Sequence, residues 1–419
     1  MSTKVTGIYD ARKELGWGKS IIMGLQQCFA MFGATILVPV LTNSYGEGIV
    51  GLSASVTLFC AGVATLWFHF ITKGKVPVFL GSSFAFLGMY QAIIPQYGKE
   101  YATGGVVAAG GLYVILAILI KVLGTKRVMK LFPPAVCGPL IILIGINLAG
   151  SAIDNLFTNW MLGIVPILVI IICNTWGKGM IKIIPVLISL IVSYIVAIIM
   201  GAVDFSAVGS ANWVGLPNFH LPKVNADAIV AGLAVAVAAM VEHVGDVMAI
   251  GATCGKNFIA DPGLTRTLLG DGIGTSLAGL LGGPANTTYS ENTGVVALTR
   301  VFDPFVMRIA AVMAIILSLS PKFEAVINSI PAAIIGGISF VLYGMIAATG
   351  IRTIVENQVD YVNMRNVLIT AIILVSGLGF NHKNIVIGSV AFGGLACAAV
   401  FGIILNAILP GKDYEFKED

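Results

Sequence analysis

Residues Thr287 to Arg300 read TTYSENTGVVALTR. A carboxylate, Glu291, stands among hydroxyls and an amide, and the run that follows, GVVAL, is apolar and helix-like. A loop accounts for the first half and a membrane span for the second, but neither accounts for both. The rest of the chain sharpens the problem. Its 419 residues are 57% hydrophobic and 11% charged, with 50 glycines. Soluble domains carry about 25% charged residues, so this chain has too few charges to cover a water-soluble fold of its size. Apolar runs recur from Ile21 to Leu409, and a crossing helix needs about 20 mostly apolar residues. The composition therefore reads as an all-α, polytopic membrane protein.

The six cysteines, Cys28, Cys60, Cys137, Cys173, Cys254 and Cys397, are scattered, and no pair has CxxC spacing. They read as small buried apolar residues, neither disulfides nor metal ligands. The polar stretch before Ile21 is too long for a secretory leader, so the first span is expected to remain in place.

Fourteen membrane segments are expected between residues 21 and 409. The third covers 76–93 and the tenth 286–298. Basic residues gather on the cytoplasmic side of membrane proteins. With both termini placed inside, only Lys99, Lys223, Lys322 and Lys383 of the 24 Lys and Arg fall outside. A miscount in the middle of the chain would mix the two sets. The expected location is the cell membrane, with residues 1–20 and 410–419 cytoplasmic.

The third and tenth segments differ from the rest. VPVFLGSSFAFLGMYQAI is opened by Pro77 and broken at Gly81-Ser82-Ser83, and GGPANTTYSENTGVVALTR is opened by Pro284. Both start extended and polar and end helical. They lie seven segments apart, and seven is odd, so the second set of seven is inverted relative to the first. Paired interrupted segments at matching places in inverted halves mark a transporter's binding site. Free backbone N–H and C=O groups at membrane depth must be paired or solvated. Two such stretches can pair as short strands, each handing over to a half-helix whose N-terminus offers free donors and partial positive charge.

Few carboxylates fall inside the segments. Glu242 follows fourteen apolar or Gly residues, Ala228 to Val241, and Asp246 lies one turn on, on the same face. Glu291 sits at the junction of the tenth segment. An ionisable residue inside a membrane is costly and marks function by default. Two carboxylates one turn apart resist being ionised together, which suits a proton-coupled carrier. A protonated carboxyl donates to a carbonyl and an ionised one accepts from a ring N–H, so the pocket suits a small planar solute. His243 is expected to pack, Asp271 to pack or cap a helix, and His69, His220 and His382 to have no role.

At these residues the chain resembles the nucleobase–ascorbate transporter family, also called nucleobase:cation symporter-2. ENTGVVALTR carries the signature positions Glu291, Asn292, Gly294, Thr299 and Arg300. FLGSSFAF is similar to the family's third-segment motif, VEHVGD to its eighth, and GLTRTLLGDGIGTSLAGLLGGPANTTYSENTG to its ninth-to-tenth stretch. The resemblance implies core spans over 21–122 and 228–319 and gate spans over 135–200 and 331–409. It also implies a proton-coupled symporter, possessing no cofactor, no metal and no nucleic-acid partner, and a homodimer through the gate. Glu at the first signature position is that of the uracil carriers. Carried over by position, Glu242 and Glu291 bind the base and couple to the proton together with Asp246. Backbone donors come from Ser83, Phe84 and Ser290, while Tyr289 and Tyr343 stand nearby. Asp246 departs from the His of the uracil type, and EHVGD ends as purine carriers do, so a purine permease is the alternative expectation. Ser290 also replaces a frequent Gly.

Other classes fit less well. The chain has no HExxH or GxSxG for a membrane enzyme. LGWGKS, Leu15 to Ser20, imitates the end of a P-loop, but Lys13 stands where the first Gly is required. A channel favours a continuous polar stripe or a charged ring. An anion carrier of the same fold would place a cation, not carboxylates, at the half-helix ends.

Overall fold

The computed structural model describes residues 6–44, 49–380, 385–387 and 390–411. Of the positions used above for topology, Lys4, Lys383, Lys412 and Lys417, together with His382 and all but the first two residues of the expected tail 410–419, lie outside the described residues.

Helices of ten residues or more follow in chain order. They are α1 (Gly16–Asn43), α2 (Ala54–Ile71), α3 (Leu87–Tyr97), α4 (Lys99–Leu123), α5 (Pro134–Asn147), α6 (Trp160–Trp176) and α7 (Pro185–Ile199). The second series is α8 (Ala226–Cys254), α9 (Leu264–Leu280), α10 (Ser290–Thr299), α11 (Pro304–Ser318), α12 (Ala332–Glu356), α13 (Met364–Gly379) and α14 (Gly394–Ile408). Among the described residues, six helices are long and apolar enough to cross a membrane, one of them being α5 with its continuation to Phe157, or seven if α11 is joined to the helix Pro321–Asn328 across an 85° bend. The remaining apolar helices are shorter, which is how a chain with broken segments must look.

Two of the short helices owe their length to strands. β1 (Leu80–Ser82) precedes a 3-10 turn, Phe84–Phe86, and then α3, while β2 (Asn286–Thr288) precedes α10. β1 and β2 pair antiparallel, Leu80 opposite Thr288 and Ser82 opposite Asn286. Ser83 N–H donates to Ala285 O and Tyr289 N–H to Phe79 O, which extends the ladder by one bond at each end. All six strand residues are buried, so the extended backbone has protein on every side. Gly81 is obligatory here: a Cβ on it would stand 2.3 Å from Tyr289 Cζ. A second hairpin, β3 (Ile385–Ile387) with β4 (Val390–Phe392), precedes α14.

The helices pack against one another in pairs. α4 and α8 face one another, α9 packs on α2 and α4, and α11 packs on α1 and α2; α12 packs against α5 and α6, and α13 against α5 and α14. Small residues allow these contacts, because helices in lipid associate by close van der Waals packing rather than by water exclusion. A Cβ on Gly110 would lie 2.4 Å from Gly272 O, and one on Gly145 would lie 2.3 Å from Tyr343 O.

The contrast between Gly110 and its neighbour supplies a test. A Cβ on Gly111 meets nothing within 4 Å, so Gly111→Ala should leave the melting temperature of detergent-purified protein unchanged or raised. Gly110→Ala should lower it, at a cost of about 1–3 kcal/mol from overpacking a backbone contact. Equal melting of the two variants would mean that α4 and α9 are not held as closely as described.

Candidate functional site

The site is built where the two strands end. Neither the 3-10 turn after β1 nor α10 after β2 has a side-chain cap on its first turn. Their leading N–H groups are thus unpaired within the helix and carry the positive ends of the local dipoles. A cavity of about 440 Å³ opens beside both starts. One wall is Phe84, Ala85 and the run Thr287 to Glu291, with Glu242 and Asp246 from α8. The facing wall comes from α5 and α12, through Ile141, Ile144, Leu342, Met345 and Ile346. At the rim the exposed pair Arg352 and Glu356 closes a 2.7 Å salt bridge along α12.

The carboxylates are held differently. Asp246 accepts from Thr288 Oγ1 at 2.6 Å and from Ser290 Oγ at 2.8 Å. Those two bonds lock mid-α8 to the strand-to-helix junction of β2 and α10. Glu242 lines the cavity with no protein donor on its carboxylate among the described residues. Glu291, in the first turn of α10, lines the cavity beside it. Three acidic side chains thus converge on one wall, where two helix starts supply the compensating partial positive charge.

Tyr289 is buried, and its hydroxyl donates to Ser82 O at 2.8 Å and accepts from Thr35 Oγ1 at 3.3 Å. Its hydroxyl is therefore committed to holding β1 against β2 and α1, while the residue also contributes to the cavity lining. The Ser83 N–H is taken by the ladder, which leaves the 3-10 turn beginning at Phe84 to offer donors. Tyr343 is buried on α12, and its neighbours Leu342, Met345 and Ile346 line the cavity in its place.

The other signature residues serve the frame. Asn292 Nδ2 donates to Gln27 O and to Gln27 Oε1, tying α10 to α1. A Cβ on Gly294 would meet only Ile183 Cγ2, at an ordinary contact distance of 3.8 Å. Thr299 Oγ1 bonds back to Val295 O, and Arg300 ends α10 in the left-handed region at φ 53°. Arg300 O then accepts from Ile8 N–H, and Phe302 N–H donates to Ile8 O, so the segment before α1 is clipped onto the end of α10. His243 Nδ1 lies 2.8 Å from Asp271 Oδ2, both fully buried between α8 and α9. Among the described residues, no group of three or more His, Cys, Asp or Glu side chains is placed to hold a metal.

Sequence reasoning did not single out Thr287 and Thr288 as site residues. Helical spacing connects Glu242 to Asp246 but says nothing about a strand crossing beside them. The usable signal was the polar run NTT in an otherwise apolar segment, whose alternate side chains must reach a polar partner.

The chain matches, over residues 18–385, a sequence profile described as the Permease family. It is 40% identical to the uracil permease of Bacillus subtilis, covering 96% of this chain and 95% of that one. It is 37% identical to the putative pyrimidine permease RutG of Escherichia coli K12, over 97% of this chain and 93% of that one. Among solved structures it resembles the transmembrane domain of a cyanobacterial bicarbonate transporter, BicA, with a TM-score of 0.63 at 15% identity, covering 96% of this chain and 100% of that one. It also resembles SLC26A9, with a TM-score of 0.68 at 10% identity, covering 96% of this chain and 66% of that one. These likenesses establish a shared fold. The relatives are permeases, not enzymes.

Removing one donor from Asp246 tests the junction. Thr288→Val keeps the shape of the side chain and deletes the 2.6 Å bond. Hydrogen bonds to charged groups are worth about 1.5–3 kcal/mol, so transport should fall about tenfold or more while the protein still purifies folded. Transport at the parent rate would show that Asp246 needs no anchoring to β2.

Proposed function

The chain belongs to the Permease family of nucleobase–ascorbate transporters, a multi-pass membrane protein by its apolar helices, and from that membership we propose that it is a proton-coupled symporter importing a nucleobase, uracil, across the cytoplasmic membrane by alternating access. The observation that carries this reading is the wall of the cavity. Glu242 and Glu291 stand there beside two uncapped helix starts. A pyrimidine ring with alternating N–H and C=O groups needs that mixture, since its N–H groups meet carboxylates and its carbonyls meet backbone N–H groups. Phe84 offers an aromatic face to the ring. The names of the curated relatives, uracil permeases at 36–40% identity, favour uracil over a purine.

In this reading the fourteen helices are fourteen segments in two inverted sets of seven, and β1 and β2 are the extended halves of the third and tenth. The group of α1–α4 with α8–α11 acts as the core, and that of α5–α7 with α12–α14 as the gate, through which two copies pair. Both termini are cytoplasmic. The rim at Arg352 and Glu356 then faces the cytoplasm, and the cavity is the inward-open state. The acidic wall disfavours an anion as cargo, because among the described lining residues the cation such a solute requires, Arg352, stands at the rim.

Proton coupling follows from crowding of charge. Glu242, Asp246 and Glu291 share one wall of low polarity, and like charges there resist simultaneous ionisation. Asp246 is anchored by two hydroxyl donors, whereas Glu242 has none among the described residues. Glu242 is thus free to exchange its proton when the base arrives or leaves.

The experiment is uptake of radiolabelled uracil into proteoliposomes, with and without an inward proton gradient, against unlabelled xanthine, guanine and thymine. Gradient-driven uptake blocked by uracil and untouched by purines is expected, and a block by purines would transfer the assignment to a purine carrier. Glu242→Gln and Glu291→Gln should each reduce uptake by about a hundredfold or more, the cost of a charge-assisted bond lost at a desolvated site. Asp246→Asn should weaken the pH dependence of uptake more than uracil binding. If Asp246→Asn changed neither, its part in coupling would be refuted.

A further inference from the structure

A second cavity, of about 310 Å³, lies behind the site, and Ala85 and Ile144 line both. Three elements step through the two cavities in the same order. On α8, Ala231 and Val235 line the second cavity, and Val241, Glu242 and Asp246 the first. On the third segment the split is Gln91 and Ala92 against Phe84. On α5 it is Asn147 and Leu148 against Ile141. The two cavities are therefore in series along the helix axes, with Ala85 and Ile144 on the lining of both. Under the orientation proposed above, the second cavity is the one toward the outside.

We propose that this outer cavity is a transit site, in which the side-chain amides of Gln91 and Asn147 hold the –CO–NH– edge of the incoming nucleobase before it passes Ala85 and Ile144 to the carboxylates. The inference rests on the nucleobase reading of the inner site. Among the described residues the outer lining contains no charged side chain and is mostly small or apolar, with Gly88, Met89 and Val235 among its residues. Within it the Oδ1 of Asn147 is buried and accepts no hydrogen bond from any described residue. A buried acceptor without a donor is costly, and a ligand N–H removes that cost. A primary amide presents an acceptor and donors side by side, the arrangement by which Asn and Gln read the edge of a base bidentately. The volume is at the lower end of the roughly 300–1,000 Å³ of small-molecule sites, enough for one ring. With no carboxylate to strengthen the contact, the base is held weakly and released, as a relay toward a tighter site requires.

The test is uptake into whole cells expressing the full chain, in a host without its own uracil carrier, alongside equilibrium uracil binding to the purified protein. Gln91→Leu and Asn147→Leu keep side-chain volume and remove the amides. Each should lower the uptake kcat/KM by about three- to tenfold, the worth of one or two neutral hydrogen bonds, with equilibrium binding held within twofold because the carboxylate site is intact. The double variant should lose both factors. Uptake unchanged in the double variant would overturn the transit site and leave the Asn147 carbonyl to a resident water. Uptake and binding falling in parallel would overturn it as well, because the amides would then act by supporting the inner site. Failure of the parent protein to bind any nucleobase would overturn the reading of the inner site itself, an outcome distinct from parent binding with unmoved variants.

Discussion

A backbone amide has nowhere to go in lipid, and the six-residue pairing of β1 with β2 is the consequence on which the rest depends. Once two stretches leave helical geometry at membrane depth, their N–H and C=O groups must find one another. Their pairing places two helix starts side by side, because each strand must convert back to helix within one residue: Tyr289 is still extended and Ser290 is already helical. The N–H groups that the helices leave unpaired at those starts are the by-product of the same constraint, and they border the cavity. Close packing follows in turn. Gly81 is there so that Tyr289 can lie across β1, and the Tyr289 hydroxyl bonds Ser82 O so that the ladder cannot slide.

Much of this is legible in the sequence. The break at Gly81-Ser82-Ser83 and the polar run before Glu291 lie where β1 and β2 form, since polar groups inside an apolar segment must find polar partners and a pair of strands supplies them. The spacing of Glu242 and Asp246 puts both on one helix face, and both line the cavity. Other features are not legible. Helical spacing makes Asp246 a partner for Glu242, but its bonds go across to Thr288 and Ser290, because a strand from elsewhere in the chain supplies donors that no local pattern announces. Tyr343 matches a motif, yet its helix is rotated so that Leu342 and Ile346 reach the cavity. His243 and Asp271 read separately as packing residues, and they face each other from α8 and α9. Distances of this kind depend on how helices rotate in the packed bundle, which composition and periodicity leave open.

The signature run divides its labour in a way that only the packed structure makes visible. Its first residue faces the cavity, while Asn292 fastens α10 to α1 and Arg300 ends the helix and receives the segment before α1. A half-helix anchored at one end only would tilt, and tilting would move Glu291 relative to Glu242. The Asn292 amide, with two bonds to Gln27, and the left-handed stop at Arg300 fix the helix at both ends. The specificity of the run as a motif thus has a mechanical origin in addition to a chemical one.

The same scaffold raises the question of how cargo is chosen. Chains sharing this fold at 10–15% identity include a bicarbonate transporter, and the paired helix starts that the fold creates are intrinsically attractive to anions. In this chain Glu242, Asp246 and Glu291 occupy that positive field. In the proposed reading their charge opposes the attraction for an anion and leaves the pair of helix starts as a strongly polar seat. A neutral solute with both donors and acceptors then gains from each partner, whereas a carboxylate or bicarbonate would meet three acidic groups. The proposed proton coupling rests on the same carboxylates. Three carboxylates on one wall are costly unless a proton or a donor-rich solute relieves them, so in the function proposed above the residues that disfavour anions are also those that would link the passage of the base to that of a proton.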